Sequence, residues 1–183
     1  RRRPGPYSRR IMDTIATRLQ QVRQRIVQAC AAAGRPAESV TLLAVSKTFG
    51  AAAVRELAAC GQLEFGENYL QEALDKQAQL ADLSLVWHFI GPIQSNKTRA
   101  IAENFSWVHS IDRLKIAERL SAQRPRGLPP LQVCIEINVS GEASKGGVAP
   151  VGLPALAATV STRAAPTRTL PPIRNSAIHT EDM

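Results

Sequence analysis

Lys47 is the residue whose type and position best fit covalent chemistry. It directly follows the apolar segment VTLLAVS (40–46), which is typical of a strand buried on both faces. Burial disfavours a charged ammonium group, and a neutral amine attacks aldehydes to form Schiff bases. The alternative interpretation is a lysine that extends from the strand end into solvent. The position alone leaves both interpretations open.

Asn68 and Lys145 occupy similar positions further along the chain. Each comes after an apolar segment, 63–65 and 131–139 respectively. Functional side chains of parallel α/β proteins gather beyond the carboxyl ends of the strands, so both residues are candidates for a ligand site. Asn68 fits a pocket lining, and it equally fits a residue that caps a turn or a helix. Lys145 taken alone fits a solvated loop.

Three further titratable residues have simpler interpretations. His88 lies between two aromatic residues of a predicted strand, which favours a hydrogen-bonded core histidine over a catalytic base. Glu67 and Glu72 are interpreted as helix-start and surface charges.

The three cysteines are far apart, so neither a metal site nor a disulfide framework is expected. Reduced thiols favour a cytoplasmic protein.

A regular alternation of helices and strands must position these side chains. Residues 12–33 carry apolar residues at three- and four-residue steps, which predicts an amphipathic helix. Predicted strands then start near residues 40, 63, 86, 107 and 131, at a spacing of 21 to 24 residues. A predicted helix separates each pair of strands. Such repeats predict parallel βαβ units, and the steady spacing favours a (β/α) barrel over a doubly wound sheet.

Composition and charge exclude several classes of protein. The 183 residues are 44% hydrophobic, as in ordinary globular chains, and no apolar run approaches the roughly 18 residues of a membrane span. The net charge of +8 includes five arginines in residues 1–10, and residues 11–160 carry only +2. We therefore expect no membrane and no nucleic acid as partners. A basic protein that binds nucleic acid or a surface through the arginines of residues 1–10 remains an alternative.

Five segments, taken in order, resemble one known family. They are LLAVSKT (42–48), FGENYLQE (65–72), WHFIGPIQSNK (87–97), HSID (109–112) and INVSGEASKGG (137–147). Together they resemble the pyridoxal phosphate homeostasis proteins over residues 12–160. The resemblance implies an α/β fold, namely a TIM (β/α) barrel of the alanine racemase N-terminal type.

The resemblance also implies a function. Pyridoxal 5′-phosphate (PLP) would be held as a Schiff base on Lys47, with Asn68 lining the pocket and Lys145 accepting the aldehyde during transfer. Such a protein buffers PLP and delivers it to PLP-dependent apoenzymes, with no established turnover and no catalytic residue. The enzymatic alternative is a racemase-like protein. That alternative needs a second acid/base group and usually a second domain, which the sequence does not show.

The two ends of the sequence depart from the family pattern. Residues 1–11 are expected to form a basic tail, residues 12–160 a partial barrel, and residues 161–183 an irregular tail. A truncated or frameshifted gene would explain the last segment. A barrel of five predicted strands stays open at its edge, which predicts a monomer or weak self-association. A non-functional remnant is therefore a further alternative.

Overall fold

The computed structural model describes residues 14–163. The predicted basic tail lies outside these residues, and the predicted tail 161–183 is described only as far as Arg163. The helices and strands follow one another in the predicted order. They are α1 (Ile15–Ala32), β1 (Ala44–Val45), α2 (Ala51–Ala59), β2 (Glu64–Glu67), α3 (Leu70–Gln79), β3 (Val86–Phe89), α4 (Thr98–Asn104), β4 (Trp107–Ile111), α5 (Leu114–Gln123), β5 (Gln132–Ile135) and α6 (Leu153–Arg163).

Local sequence sets both ends of the first helix. The side chain of Thr14 accepts a hydrogen bond from the Thr17 amide at 3.2 Å, which satisfies a donor that the first turn leaves free. The helix ends at Ala32, and Gly34 follows with a φ of +62°. Glycine adopts this left-handed conformation without a steric penalty, so the chain can turn sharply towards β1.

The five strands form one parallel sheet whose spatial order is the chain order, β1-β2-β3-β4-β5. Val45 pairs with Gly66, Gly66 with His88, and His88 with Trp107. These residues therefore form one row on the same face of the sheet, which we call the inner face. Within residues 14–163, β1 and β5 are the two edges, so the sheet is open as predicted.

The helices cover the opposite face and enclose the core. Strand residues alternate between the two faces, so the neighbours of the inner-face row point towards the helices. Aromatic side chains fill much of this layer, and Phe89 meets Phe105 edge to face at a ring distance of 5.3 Å. Fully buried members of the core are Val54, Phe65, Ala73, Ile101, Phe105, Val108, Ile111 and Ile116.

The prediction for the first strand is wrong in two respects. The segment 40–46 forms only a two-residue strand, and Val45 is 47% exposed instead of buried on both faces. The reason is that β1 is an edge strand whose inner face is uncovered in the described part of the chain. Ala44 points the other way and packs against the core, so the segment is buried on one face only. No helix among residues 14–163 is long and apolar enough to cross a membrane.

Candidate functional site

Lys47 comes two residues after Val45, at the carboxyl end of β1. Its side chain is exposed, so of the two interpretations of Lys47 the structure agrees with a lysine that extends from the strand end into solvent. The residue before it, Ser46, is buried, and the residue after it, Thr48, has a φ of +69°. A left-handed conformation is uncommon for a β-branched residue and persists only where surrounding contacts impose it. The amine of Lys47 therefore projects to solvent from a turn that neighbouring residues hold in place.

A buried ion pair lies next to this turn. Lys76 of α3 is buried, and its Nζ lies 2.8 Å from Oε1 of Glu67 at the end of β2. The same Nζ donates a hydrogen bond to the carbonyl oxygen of Ser46 at 2.8 Å. Ser46 Oγ donates to Glu67 Oε1 at 2.6 Å. This cluster joins β1, β2 and α3 directly behind the turn that carries Lys47.

The interpretation of Glu67 and Glu72 as helix-start and surface charges is therefore wrong for Glu67. Its side chain is completely buried, whereas that of Glu72 is 35% exposed. Glu67 is the last residue of β2 and points towards the helices, where Lys76 provides the opposite charge. A buried carboxylate is tolerated only with such a partner. The spacing of Glu67 and Lys76, nine residues across a strand-to-helix turn, gave no signal in the sequence.

Asn68 is the first residue after β2, the strand that pairs with β1. Helix α3 begins at Leu70 and has no side-chain cap, so the capping interpretation of Asn68 is not supported. Its Oδ1 is buried and accepts no hydrogen bond from the described residues. A buried acceptor without a donor is unfavourable unless a ligand or water completes it. The turn after β3 packs closely here, because a β carbon at Gly91 would lie 2.4 Å from the Asn68 carbonyl oxygen.

Lys145 lies apart from these two residues. It follows β5, at the opposite edge of the sheet from β1. Its side chain is 63% exposed, and its Nζ lies 3.0 Å from Glu142 Oε1. Asn138 holds the loop together, because its Nδ2 donates to the carbonyl oxygen of Glu142 at 2.9 Å. The structure thus places Lys47 and Asn68 after the adjacent strands β1 and β2 and leaves Lys145 on a separate loop.

His88 belongs to a hydrogen-bonded chain on the inner face, as the core-histidine interpretation predicts. Its Nε2 lies 2.8 Å from Glu64 Oε2, and its Nδ1 lies 2.9 Å from His109 Nε2. The Trp107 ring stacks on it at a centroid distance of 5.5 Å. Burial, followed by the proximity of His109, lowers the pKa of His88 to about 4, and burial also lowers that of His109. Burial raises the pKa of Glu64.

The buried neutral imidazole of His88 is expected to make stability depend on pH. Unfolded His88 gains a proton below its ordinary pKa of 6.5, but the folded residue does so only near 4, so stability falls as the pH drops between these values. The difference corresponds to on the order of 3 kcal/mol, which the raised pKa of Glu64 partly offsets. Urea unfolding followed by tryptophan fluorescence at several pH values measures this loss.

The variant His88→Gln is the control for this effect. Glutamine retains hydrogen-bonding groups but does not titrate, so the pH dependence between about 6.5 and 4 should flatten. His109 has the same sign of shift and contributes the remaining slope. An original chain whose urea midpoint stays constant over this range would contradict the assignment.

Comparison with known sequences places the chain in a family. Residues 17–168 match the family described as "Alanine racemase, N-terminal domain". The chain belongs to this family. The relation extends to the structure of alanine racemase from Corynebacterium glutamicum, which is 20% identical and superposes with a TM-score of 0.52 over 78% of this chain and 39% of that one. This likeness confirms that the fold is that of the alanine racemase N-terminal barrel.

Other relatives are more similar to this chain than that alanine racemase is, and they share a more specific name. The chain is 69% identical to the pyridoxal phosphate homeostasis protein of Pseudomonas aeruginosa over 149 residues, which are 81% of this chain and 65% of that protein. It is 53% identical to the Escherichia coli protein of the same name over 153 residues, or 82% and 65% of the two chains. The chain thus spans about 65% of the length of these relatives.

The chain is also similar to two solved structures of PipY from Synechococcus elongatus. The structure without PLP superposes with a TM-score of 0.71 at 41% identity, over 81% of this chain and 65% of PipY. The structure with PLP bound superposes with a TM-score of 0.65 at 40% identity, over 78% and 64%. The resemblance inferred from the five sequence segments is therefore confirmed.

Proposed function

We propose that the chain binds PLP through the amine of Lys47, as its part in PLP homeostasis. The observation that carries this proposal is the exposed primary amine of Lys47 after β1, together with the unsatisfied buried Oδ1 of Asn68 after the adjacent strand β2. The names of the relatives and the PLP bound to PipY support PLP as the ligand.

The residues fit this ligand. PLP carries an aldehyde that condenses with a primary amine, and it carries hydrogen-bond donors on its ring. Lys47 provides an amine that solvent reaches, and Asn68 provides an acceptor that no described residue uses. Gly91 allows the turn after β3 to approach the backbone of Asn68 closely.

The protein residues have separate tasks in this proposal. Lys47 must lose its proton to react, and Thr48 and Ser46 fix where its side chain starts. Asn68 accepts one hydrogen bond and thereby orients the ligand. Lys145 is proposed as a second amine on the β5 loop that takes the aldehyde during transfer, since its exposed position leaves it accessible. We propose no catalytic turnover, and PLP-dependent apoenzymes as recipients.

Two further aspects of the proposal concern the state of the protein. We propose a cytoplasmic location, which the three free cysteines support because reducing compartments keep thiols unpaired.

We also propose a monomer or weak self-association through the edges of the open sheet. Edge strands present unpaired backbone groups, which favour such contacts. Size-exclusion chromatography over a range of protein concentrations measures this association.

Reductive trapping tests the function directly. The chain is incubated with PLP and reduced with borohydride, and the modified lysine is identified by peptide mass spectrometry. The five lysines are Lys47, Lys76, Lys97, Lys115 and Lys145. We expect modification of Lys47 to exceed that of every other lysine by about tenfold or more, because only this amine has an oriented ligand beside it.

The control variants are Lys47→Arg and Asn68→Ala. Lys47→Arg retains the positive charge but cannot condense with the aldehyde, so selective labelling should disappear. Asn68→Ala retains the amine and should reduce its selectivity towards the level of the other lysines. Equal labelling of all exposed lysines in the original chain would show ordinary surface amine chemistry and reject the proposed function.

A further inference from the structure

The residues on both sides of Lys47 are connected to one buried lysine. Lys76 Nζ donates to the carbonyl oxygen of Ser46, the residue before Lys47, at 2.8 Å. It also lies 2.7 Å from Oε1 of Glu72. That same carboxylate oxygen accepts the amide N–H of Thr48, the residue after Lys47, at 2.9 Å. A single ammonium group thus holds the chain before and after the reactive amine.

The ammonium group of Lys76 is fully used in this arrangement. It has three N–H donors, and three acceptors surround it, namely Ser46 O, Glu67 Oε1 and Glu72 Oε1. Each contact is 2.7 to 2.8 Å long, the length of a charge-assisted hydrogen bond. Because the three N–H bonds are arranged tetrahedrally around one nitrogen, the three acceptors must lie at matching positions around Lys76 Nζ.

The conformation of Thr48 shows what the arrangement achieves. Its φ of +69° is unfavourable for a residue with a branched β carbon, so an isolated segment would relax to another conformation. The hydrogen bond from its amide to Glu72 opposes that relaxation. A relaxed Thr48 would rotate the backbone at Lys47 and redirect its side chain.

A buried ion pair of this kind contributes little net free energy to the stability of a fold. Desolvation of two buried charges offsets most of their attraction, and apolar residues of similar volume often stabilise as well. Core stability alone therefore gives little reason for a buried lysine at this place. Its contacts on either side of Lys47 provide one.

We propose that Lys76 and Glu72 are positioning residues for the Lys47 amine. They make no contact with the ligand in this proposal; they fix the turn from which Lys47 projects. The inference rests on the proposed function, since it assigns these residues a role in PLP attachment at that site. Loss of the Glu72 contact should leave the Lys47 amine present but misdirected.

Two variants of Glu72, a control variant of Glu103 and a variant of Lys76 test the proposal. Glu72→Gln retains an oxygen acceptor for the Thr48 amide and removes the charge, whereas Glu72→Ala removes both. Glu103→Ala removes the exposed pair of Glu103 with Arg99, which has the same four-residue spacing on α4, and serves as the matched control. Lys76→Met completes the series, although it leaves Glu67 buried without a charged partner.

The measured quantities are the rate of PLP attachment at Lys47 and the hydrogen-exchange rate of the Thr48 amide. We expect Glu72→Ala to slow attachment by about tenfold or more, while Glu72→Gln and Glu103→Ala stay near the original rate. Thr48 exchange should accelerate in Glu72→Ala alone among these three. Circular dichroism at the labelling temperature verifies that each variant is folded, so that a slower rate reports position and not unfolding.

The outcomes separate this inference from the function on which it rests. An unchanged rate in Glu72→Ala overturns the inference, and so does an equal loss in Glu72→Gln, which would assign the effect to charge. If the original chain shows no selective attachment at Lys47, the proposed function is rejected instead. The hydrogen-exchange rate of the Thr48 amide then tests by itself whether Lys76 and Glu72 fix the turn. An unchanged exchange rate in Glu72→Ala overturns the inference.

Discussion

Replacement of Glu67 by glutamine is expected to lower the free energy of unfolding by about 3 kcal/mol or more. Glu67 is completely buried and accepts from Lys76 Nζ at 2.8 Å and from Ser46 Oγ at 2.6 Å. Glutamine has nearly the same shape but no charge, so the ammonium group of Lys76 loses its buried partner. Glu72 is the remaining carboxylate and is itself 35% exposed, which weakens the compensation it provides.

Chemical denaturation measures this loss, and an exposed ion pair provides the comparison. Asp82→Asn breaks the pair of Asp82 with Arg55, whose atoms are 2.6 Å apart but whose side chains are 60% and 46% exposed. Exposed pairs contribute little to stability because solvent screens them, so this variant should unfold close to the original midpoint. Equal midpoints for Glu67→Gln and Asp82→Asn would show that burial does not strengthen the Lys76 pair.

Gly91→Ala is the second substitution expected to have a large effect. An added β carbon would lie 2.4 Å from the carbonyl oxygen of Asn68 and 2.9 Å from its Cα. These are backbone atoms, so no side-chain rotation relieves the clash. The turn after β3 also accepts a hydrogen bond from Ser110 Oγ at the Gly91 carbonyl, which limits how far it can move. We expect a loss of about 3 kcal/mol, at the upper end of overpacking effects.

The clash has a consequence at the site as well as for stability. Since Asn68 must shift to accommodate the methyl group, selective labelling of Lys47 by PLP should decrease in any Gly91→Ala protein that folds. Gly127→Ala is the matched control, because its added β carbon would meet nothing within 4 Å. A Gly91→Ala protein as stable as Gly127→Ala would contradict the close approach of the two turns.

Periodicity was sufficient to predict most of the fold. Apolar steps along 12–33 predicted α1, and the steady spacing of strand starts predicted the parallel order that the structure shows. The prediction was poorest for β1, where an apolar run suggested burial on both faces and Val45 is 47% exposed. The sequence of a strand shows how apolar the strand is. Whether the inner face of an edge strand is covered depends on segments that are distant in the sequence.

The candidate site was predicted only in part. The sequence placed Lys47 and Asn68 after successive strands, and those strands are adjacent and parallel, so both residues follow carboxyl ends at the same edge of the sheet. The contacts of Lys76 with Glu67 and Ser46 were not predicted, since they join residues 9 and 30 positions apart in three elements. Nothing in the local pattern of α3 distinguishes Lys76 from an ordinary surface lysine. Such contacts depend on how a helix rotates against the sheet.

The spatial order of the strands also bears on how the chain folds. Each strand pairs with the next one along the chain, and successive strands begin 20 to 25 residues apart. The entropy lost on closing a loop grows with its length, so these pairings require only modest closures compared with those between distant segments. Each strand–helix unit can therefore dock on the unit made before it while synthesis continues. The topology thus permits assembly in the order in which the units are synthesised.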